Sequence, residues 1–213
     1  MWVNPLYDAT HRQDALDLVR DNPLATVIVG GPVRVSHVPV LLETHPDGSL
    51  ELVGHMPRVD PAVSALIDRA VTTVVFHGPR SYVSPSTYVA PGLPTYNYLV
   101  AHAEGTARVM DDPEELRAHL MELTARQEER GDVEAERWTF DDIAFARMDK
   151  LMPLIVGFRI PVERLQVKAK LGQNRSVDDQ RSAAAALHKS PRTDDQEVAQ
   201  KMVASSEERA RES

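Results

Sequence analysis

Apolar and polar residues alternate at the two-residue period of strands through much of this chain, and stretches with helical spacing lie between. The run Leu24-Ala25-Thr26-Val27-Ile28-Val29 is β-branched and closed by Gly30-Gly31-Pro32, which predicts a strand followed by a turn. Residues 33–42 predict a second strand, and Asp47-Gly48 a hairpin into a third from Ser49 to Gly54. Val71 to Phe76 is the cleanest strand pattern, residues 96–109 alternate as a long one, and Leu154 to Val162 returns to strand. Helices are predicted from Thr10 to Asp21, over 61–69 behind Asp60 and Pro61, over 111–130 behind Asp111-Asp112-Pro113, over 139–149 and over 178–188. Residues 78–95 hold four prolines and two glycines among eighteen positions, which predicts a long ordered loop opened by a Gly78-Pro79 turn.

Strands interspersed with helices in this way do not form regular βαβ units. They predict a mostly β chain with peripheral helices, an antiparallel barrel or meander rather than a doubly wound sheet. The boundaries that follow are a β domain over 1–175, a C-terminal helix over 176–190 and a tail over 191–213. That tail is expected to be disordered, because Ser, Glu, Arg and Gln dominate it.

Composition narrows the chemistry. Apolar residues make up 42% of the 213, enough for a real core, and no apolar run approaches the roughly 20 residues of a membrane helix. The start, Met1-Trp2-Val3-Asn4-Pro5, lacks the basic-then-apolar order of a secretory leader, so a cytoplasmic protein is expected. Zero cysteines exclude disulfides, thiolate metal sites and cysteine nucleophiles, which leaves eight histidines and the oxygen ligands. A net charge of −8 argues against a strong nucleic-acid binder, since that affinity rests on Lys and Arg displacing counterions.

Four clusters carry candidate chemistry. Gly54-His55-Met56-Pro57-Arg58 puts a histidine at a strand end, and imidazole is the commonest protein ligand for haem iron or zinc. Arg58, three residues on, is able to clamp a phosphate or propionate. The same residues also fit a strand-end histidine bonded to backbone beside the helix-capping Asp60. The second cluster, His77 to Pro85, gathers Arg80, Ser81, Tyr82 and Ser84 as donors for an anionic edge, or is a turn with incidental polar residues. The third, Thr95-Tyr96-Asn97-Tyr98, offers rings and an amide to a flat ligand, or ordinary strand packing. The fourth, Lys168 to Arg175, has cations to neutralise carboxylates, or is a solvated basic turn. His37 is a second choice of ligand, on a strand position expected to face a barrel interior. His102 fits a core position, and His45, His119 and His188 read as surface. No HExxH, P-loop or GxGxxG is present.

In order, these segments resemble the PaiB-like family, the FMN-binding negative transcriptional regulators. The matching stretches are Asn22-Pro23-Leu24-Ala25-Thr26, His37-Val38-Pro39, Gly54-His55 with Arg58 and Pro61, and Val75-Phe76 through Gly78-Pro79. They continue with Tyr82-Val83-Ser84-Pro85, Pro94-Thr95 with Asn97, Ile155-Val156-Gly157-Phe158, and Lys170-Leu171 with Gln173-Asn174. The resemblance covers about residues 1–180. It implies a split β-barrel related to the pyridoxamine-phosphate-oxidase-like flavoproteins, forming a homodimer with cofactor sites at the subunit interface.

Some members of the family resemble FMN-binding regulators. Others are haem proteins, the piperazate synthases, which close the N–N bond of N5-hydroxy-L-ornithine to give L-piperazic acid. Between Tyr88 and Pro94 this chain has only five residues, where regulator-like members carry a longer insert, and the short form looks like the synthase branch. Tyr96 stands where Trp is usual and Gly172 where Ser is usual. Pro57 and Asp60 replace a small residue and Asn. Gln173-Asn174-Arg175 keeps the regulator-like ending. The resemblance therefore implies a haem b enzyme acting on a small molecule, with an FMN-binding transcriptional regulator or small flavin oxidoreductase as the alternative. On that reading His55 is the axial iron ligand, and Arg58, Ser84, Thr95, Lys170 and Gln173 bind the cofactor. Tyr82, Tyr96 and Asn97 line the catalytic pocket. In the FMN alternative, Arg58, Lys170 and Arg175 take the phosphate.

Overall fold

The alternating runs become strands and the capped stretches become helices. The computed structural model describes residues 1–8, 12–131 and 137–212. Its described residues form eight strands, β1 (Leu24–Val29), β2 (Arg34–Thr44), β3 (Leu50–Pro57), β4 (Val71–Val83), β5 (Thr95–Thr106), β6 (Arg108–Val109), β7 (Ile155–Pro161) and β8 (Arg164–Lys170). The helices are α1 (Arg12–Asp21), α2 (Ala62–Ile67), α3 (Pro113–Arg130), α4 (Asp142–Leu151), α5 (Val177–Leu187) and α6 (Thr193–Glu212). The chain divides into two compact units. One comprises Met1–Asn22, Phe76–His102 and Gln166–Ser213, the other Pro23–Val75 and Ala103–Leu165.

The second unit is built on an antiparallel meander. β1 pairs with β2, β2 with β3 and β3 with β7, while β6 borders β7 and the start of β4 borders β1. Strand alternation sends Leu52, Gly54 and Met56 of β3 to one face, opposite Ile160, Phe158 and Val156 of β7. All of these apolar side chains are buried, and the Phe158 ring lies over Gly54, where a Cβ would come within 2.5 Å of Cζ. The other face carries Glu51, Val53 and His55 opposite Pro161, Arg159 and Gly157. Val53 joins Met110, Leu116, Met148 and Met152 in an apolar cluster, so α3 and α4 cover this face. α3 starts where expected: the Asp112 carboxylate accepts from Glu114 N, Pro113 occupies the first turn, and Glu114 and Glu115 meet the positive end of the dipole.

The first unit holds α1, the end of β4, the start of β5, β8, α5 and α6. Three expectations are corrected here. The chain does not turn at Gly78-Pro79; β4 continues to Val83. Gly78 is needed instead for close packing, because a Cβ there would lie 2.5 Å from Leu18 Cδ1 and 3.1 Å from Leu99 Cβ. The basic stretch after Arg164 is a strand as far as Lys170, and the turn comes only at Gly172, whose φ of +89° favours glycine. Residues 191–213, expected to be a disordered tail, form α6 over Thr193–Glu212. Its buried stripe is Val198, Ala199, Met202 and Ser206, packed with Ala183, Ala184 and Leu187 of α5. Small residues make most of that stripe, and composition alone hides it.

Candidate cofactor-binding site

His55 stands on the helix-covered face of β3, directly across from Gly157. The strand runs three residues further than expected, which makes His55 a sheet residue and not a loop residue. Its Nδ1 lies 3.1 Å from Nε2 of His119 on α3, and the two rings meet edge-on with centroids 5.3 Å apart. His119, expected at the surface, is 4% exposed. Its spacing carries the signal: Leu116, His119 and Leu120 share one helical face, and that face packs on the sheet. Among the described residues no hydrogen bond engages Nε2 of His55, and that atom is not among the enclosed unpaired ones, so it is open to approach. Nδ1 of His119, by contrast, is enclosed without a partner.

Burial keeps both rings neutral. It lowers the pKa of His55, and it pushes His119 down to about 4, helped by His55, Arg159 and Arg126 nearby. In the unfolded chain both rings titrate near 6.5. As pH falls through 6.5 the unfolded state takes up protons that the folded state refuses until about pH 4. The stability held by His119 is therefore complete above pH 6.5 and lost toward pH 4. The loss expected is about 3 kcal/mol. Urea unfolding of the cofactor-free chain from pH 7 to 4 measures it. His119→Phe flattens the profile, and identical pH profiles for the two chains would contradict the assignment.

Beside this face lies a groove of about 810 Å³, lined by residues of the second unit. Gly157, Ile155, Met110, Leu116 and Met152 form its apolar part, and Arg58, Arg69, Arg108 and Arg117 its cationic part. His55 is not among the lining residues, although Gly157 across the ladder is. Arg58 donates through Nε to Pro153 O (2.8 Å) and through Nη2 to Ile155 O (3.0 Å), which pins its guanidinium and leaves Nη1 for a ligand. Farther along the face, Arg159 Nη1 donates to Glu43 (2.7 Å) and Glu51 (2.8 Å), and Nε to Glu115 (2.6 Å). Glu43, His45 and Glu51 bring their ligand atoms within 4.8 Å of one another, but the Arg159 guanidinium already binds both carboxylates.

The remaining predicted residues belong to the first unit. Tyr82 and Tyr96 stack edge-to-face at 5.7 Å and are 51% and 58% exposed. Lys170 Nζ donates to Thr95 Oγ1. Three residues depart from expectation. Asn97 does not line an open pocket: it is 1% exposed, donates to Met202 Sδ at 3.3 Å, and leaves its Oδ1 enclosed without a partner. Gln173 is used up by the turn, accepting from Leu171 N (2.7 Å) and donating to Ala169 O (2.6 Å). Ser84 caps the short turn Pro85–Thr87 by accepting from Ser86 N. Arg175 lies over Tyr88 at 4.5 Å, pairs with Asp179 and donates to Ala90 O and Pro91 O, fastening the five-residue loop. His37 is exposed and bonds Thr26 Oγ1 at 3.1 Å, and so does not face a core.

The family model described as "Putative FMN-binding domain" matches residues 1–164. The chain belongs to this family. It is 27% identical over 182 residues to the Bacillus subtilis protein named protease synthase and sporulation protein PAI 2, covering 84% of this chain and 85% of that one. An uncharacterized protein of Emericella nidulans is 30% identical over 201 residues, covering 76% and 80%. Among solved structures, the FAD and heme binding protein from Mycobacterium smegmatis superposes with a TM-score of 0.55 at 21% identity, covering 78% of this chain and 74% of that one. The flavocytochrome Anf3 from Azotobacter vinelandii gives 0.51 at 15% identity, covering 76% and 68%. At these identities the likeness is one of fold, and the fold is the split β-barrel. Among the described residues no helix is long and apolar enough to cross a membrane.

The matched family is described by FMN binding, and the chemistry of the residues on the second unit also suits an iron-bearing group. A neutral imidazole with one nitrogen held by a partner and the other open is the donor that a metal requires.

Proposed function

We propose that this protein is a haem-dependent piperazate synthase, with His55 as the axial ligand of haem b. The observation that carries the reading is the His55 ring itself: neutral, fixed at Nδ1 by His119 and open at Nε2. The short loop between Tyr88 and Pro94 supports the same branch of the family. Two fold neighbours, one titled a FAD and heme binding protein and the other a flavocytochrome, support an iron porphyrin in a barrel of this kind.

The net reaction joins the α-amine nitrogen of N5-hydroxy-L-ornithine to N5, breaks the N5–O bond and releases one water. Electrons balance without a nicotinamide or oxygen. Bound haem iron supplies a Lewis acid for the hydroxylamine. The chain's own residues bind and orient. Arg58, its Nε and Nη2 tied to carbonyls, presents Nη1 to a carboxylate. Lys170, steadied by Thr95, presents an ammonium to another anionic group. Tyr82 and Tyr96 offer an aromatic surface to a flat ligand. Holding the amine near N5 in one conformation removes much of the entropy of ring closure. A homodimer is part of the same proposal: Val89 and Leu93 are 73% and 83% exposed, apolar surface that a second copy would cover.

The test is direct. Haem-loaded protein given N5-hydroxy-L-ornithine should form a cyclic product lighter by one water, with no reductant and no oxygen. Failure of the haem-loaded protein, or turnover only by FMN-loaded protein, contradicts the proposal. Sedimentation giving a monomer at micromolar concentration would remove the dimer from it.

A further inference from the structure

Proton bookkeeping at the two histidines leads beyond the ligand itself. The contact between His55 Nδ1 and His119 Nε2 needs one proton, which either ring is able to supply. If His119 donates it, His55 keeps its own proton on Nε2 and has no lone pair there for a metal. If His55 donates it, the lone pair sits on the open Nε2, and the proton of His119 moves to Nδ1. That nitrogen is enclosed and has no partner among the described residues. The two arrangements are chemically distinct, and only the second is competent for ligation.

We propose that His119 is a positioning residue for the iron ligand: its Nε2 accepts the Nδ1–H of His55, orients that ring and holds it in the tautomer that ligates. This rests on the reading of His55 as the haem ligand. The geometry carries the rest. His119 is held on the buried face of α3 between Leu116 and Leu120, and the edge-on contact fixes the ring plane of His55 from one side. Gly157 faces His55 across the ladder without a side chain, and Met110 and Leu116 fill the space a Cβ would take. Among the described residues the ring is thus gripped by one polar contact, and that contact is His119. An acceptor on the distal nitrogen also makes an imidazole a stronger donor to its metal.

Two variants and one measurement on the unchanged protein test this. His119→Leu removes the acceptor while keeping an apolar side chain on the helix, and His119→Gln keeps an acceptor oxygen. Haem affinity should fall about 10–100-fold in His119→Leu, the usual cost of losing such a partner. It should recover most of the way in His119→Gln. The iron–histidine stretching band of the ferrous protein in resonance Raman should move to lower frequency in the leucine variant and return in the glutamine variant. A leucine variant with wild-type circular dichroism, unchanged affinity and an unmoved band overturns the proposal. Should that variant not fold, nitrogen-15 spectra of the wild-type ferrous carbonyl complex decide: protonated Nδ1 of His55 with unprotonated Nε2 of His119 supports it, and the reverse tautomers overturn it. Failure of the ligand reading looks different. In that case the wild-type protein binds no haem, or His55→Ala retains the iron–histidine band.

Discussion

His55→Ala will leave the barrel folded and lower haem affinity by more than about 100-fold, beyond the 10–100-fold that loss of an outer partner costs. Among the described residues the side chain makes one hydrogen bond, to His119, and it is only half-buried on the helix-covered face of β3, so removing it opens little of the core. The interior at this level is Gly54, Met56, Val156 and Phe158, none of which the substitution touches. Thermal melts of the cofactor-free chain should show a loss no greater than that of a partner to buried His119, about 1–3 kcal/mol, while haem added to the variant should be lost on gel filtration. A variant that keeps haem with the wild-type spectrum would move the ligand elsewhere, and His37, exposed and bonded only to Thr26 Oγ1 among the described contacts, is next to test.

The second large effect lies in the same sheet face and concerns stability. Arg159→Leu removes the one cation shared by Glu43, Glu51 and Glu115 and leaves three carboxylates facing an apolar side chain. The Arg159 side chain is 16% exposed, and Glu51 is 10%. Burial alone would lower the Arg159 pKa, but hydrogen bonds from Glu43, Glu51 and Glu115 outweigh it and hold the pKa above its ordinary value. Glu115 keeps Arg108 at 3.0 Å, so the cost falls on Glu43 and Glu51, and removing the partner of such buried charges costs about 3 kcal/mol. Urea unfolding at pH 7 should show a loss of that size. The deficit should shrink as pH falls below the carboxylate range, where the stranded glutamates take up protons. The sign follows from Glu115: burial raises its pKa, but Arg108 and Arg159 lower it by more, and so the wild-type advantage exists above the carboxylate range and fades below it. A deficit under about 1 kcal/mol at pH 7 would show the network to be a solvent-screened surface feature.

Much of the barrel was legible because its strands alternate. Leu24–Val29, Leu50–Pro57 and Ile155–Pro161 each send every second side chain into the core, and period and β-branching reveal that directly. Where the sequence misled, the reason was a residue serving two purposes. Gly78-Pro79 reads as a turn, yet the glycine admits Leu18 and Leu99 against a continuous strand. The α6 segment reads as disorder, yet alanine, serine and one methionine suffice to pack it on α5.

The candidate site was legible only in part. His55 and Arg58 could be named because a strand-end histidine followed by an arginine suits an anionic iron cofactor. His119, 64 residues away, could not be paired with His55, since nothing in a sequence fixes which helix face covers which strand. Asn97 reads as a ligand contact because an amide among rings orients a flat molecule, and Gln173 because it stands in a stretch that matches the family. In the fold one is buried against Met202 and the other closes the turn at Gly172. A polar side chain within a matched motif can serve the backbone as easily as a ligand.

The absorption spectrum of the protein purified from haem-sufficient, flavin-sufficient cells tests the central claim most directly, that an open imidazole on β3 holds iron. The account predicts a Soret band, with a ferrous form whose iron–histidine vibration disappears in His55→Ala. A yellow preparation with flavin absorption alone, from which added haem is washed away, would contradict it.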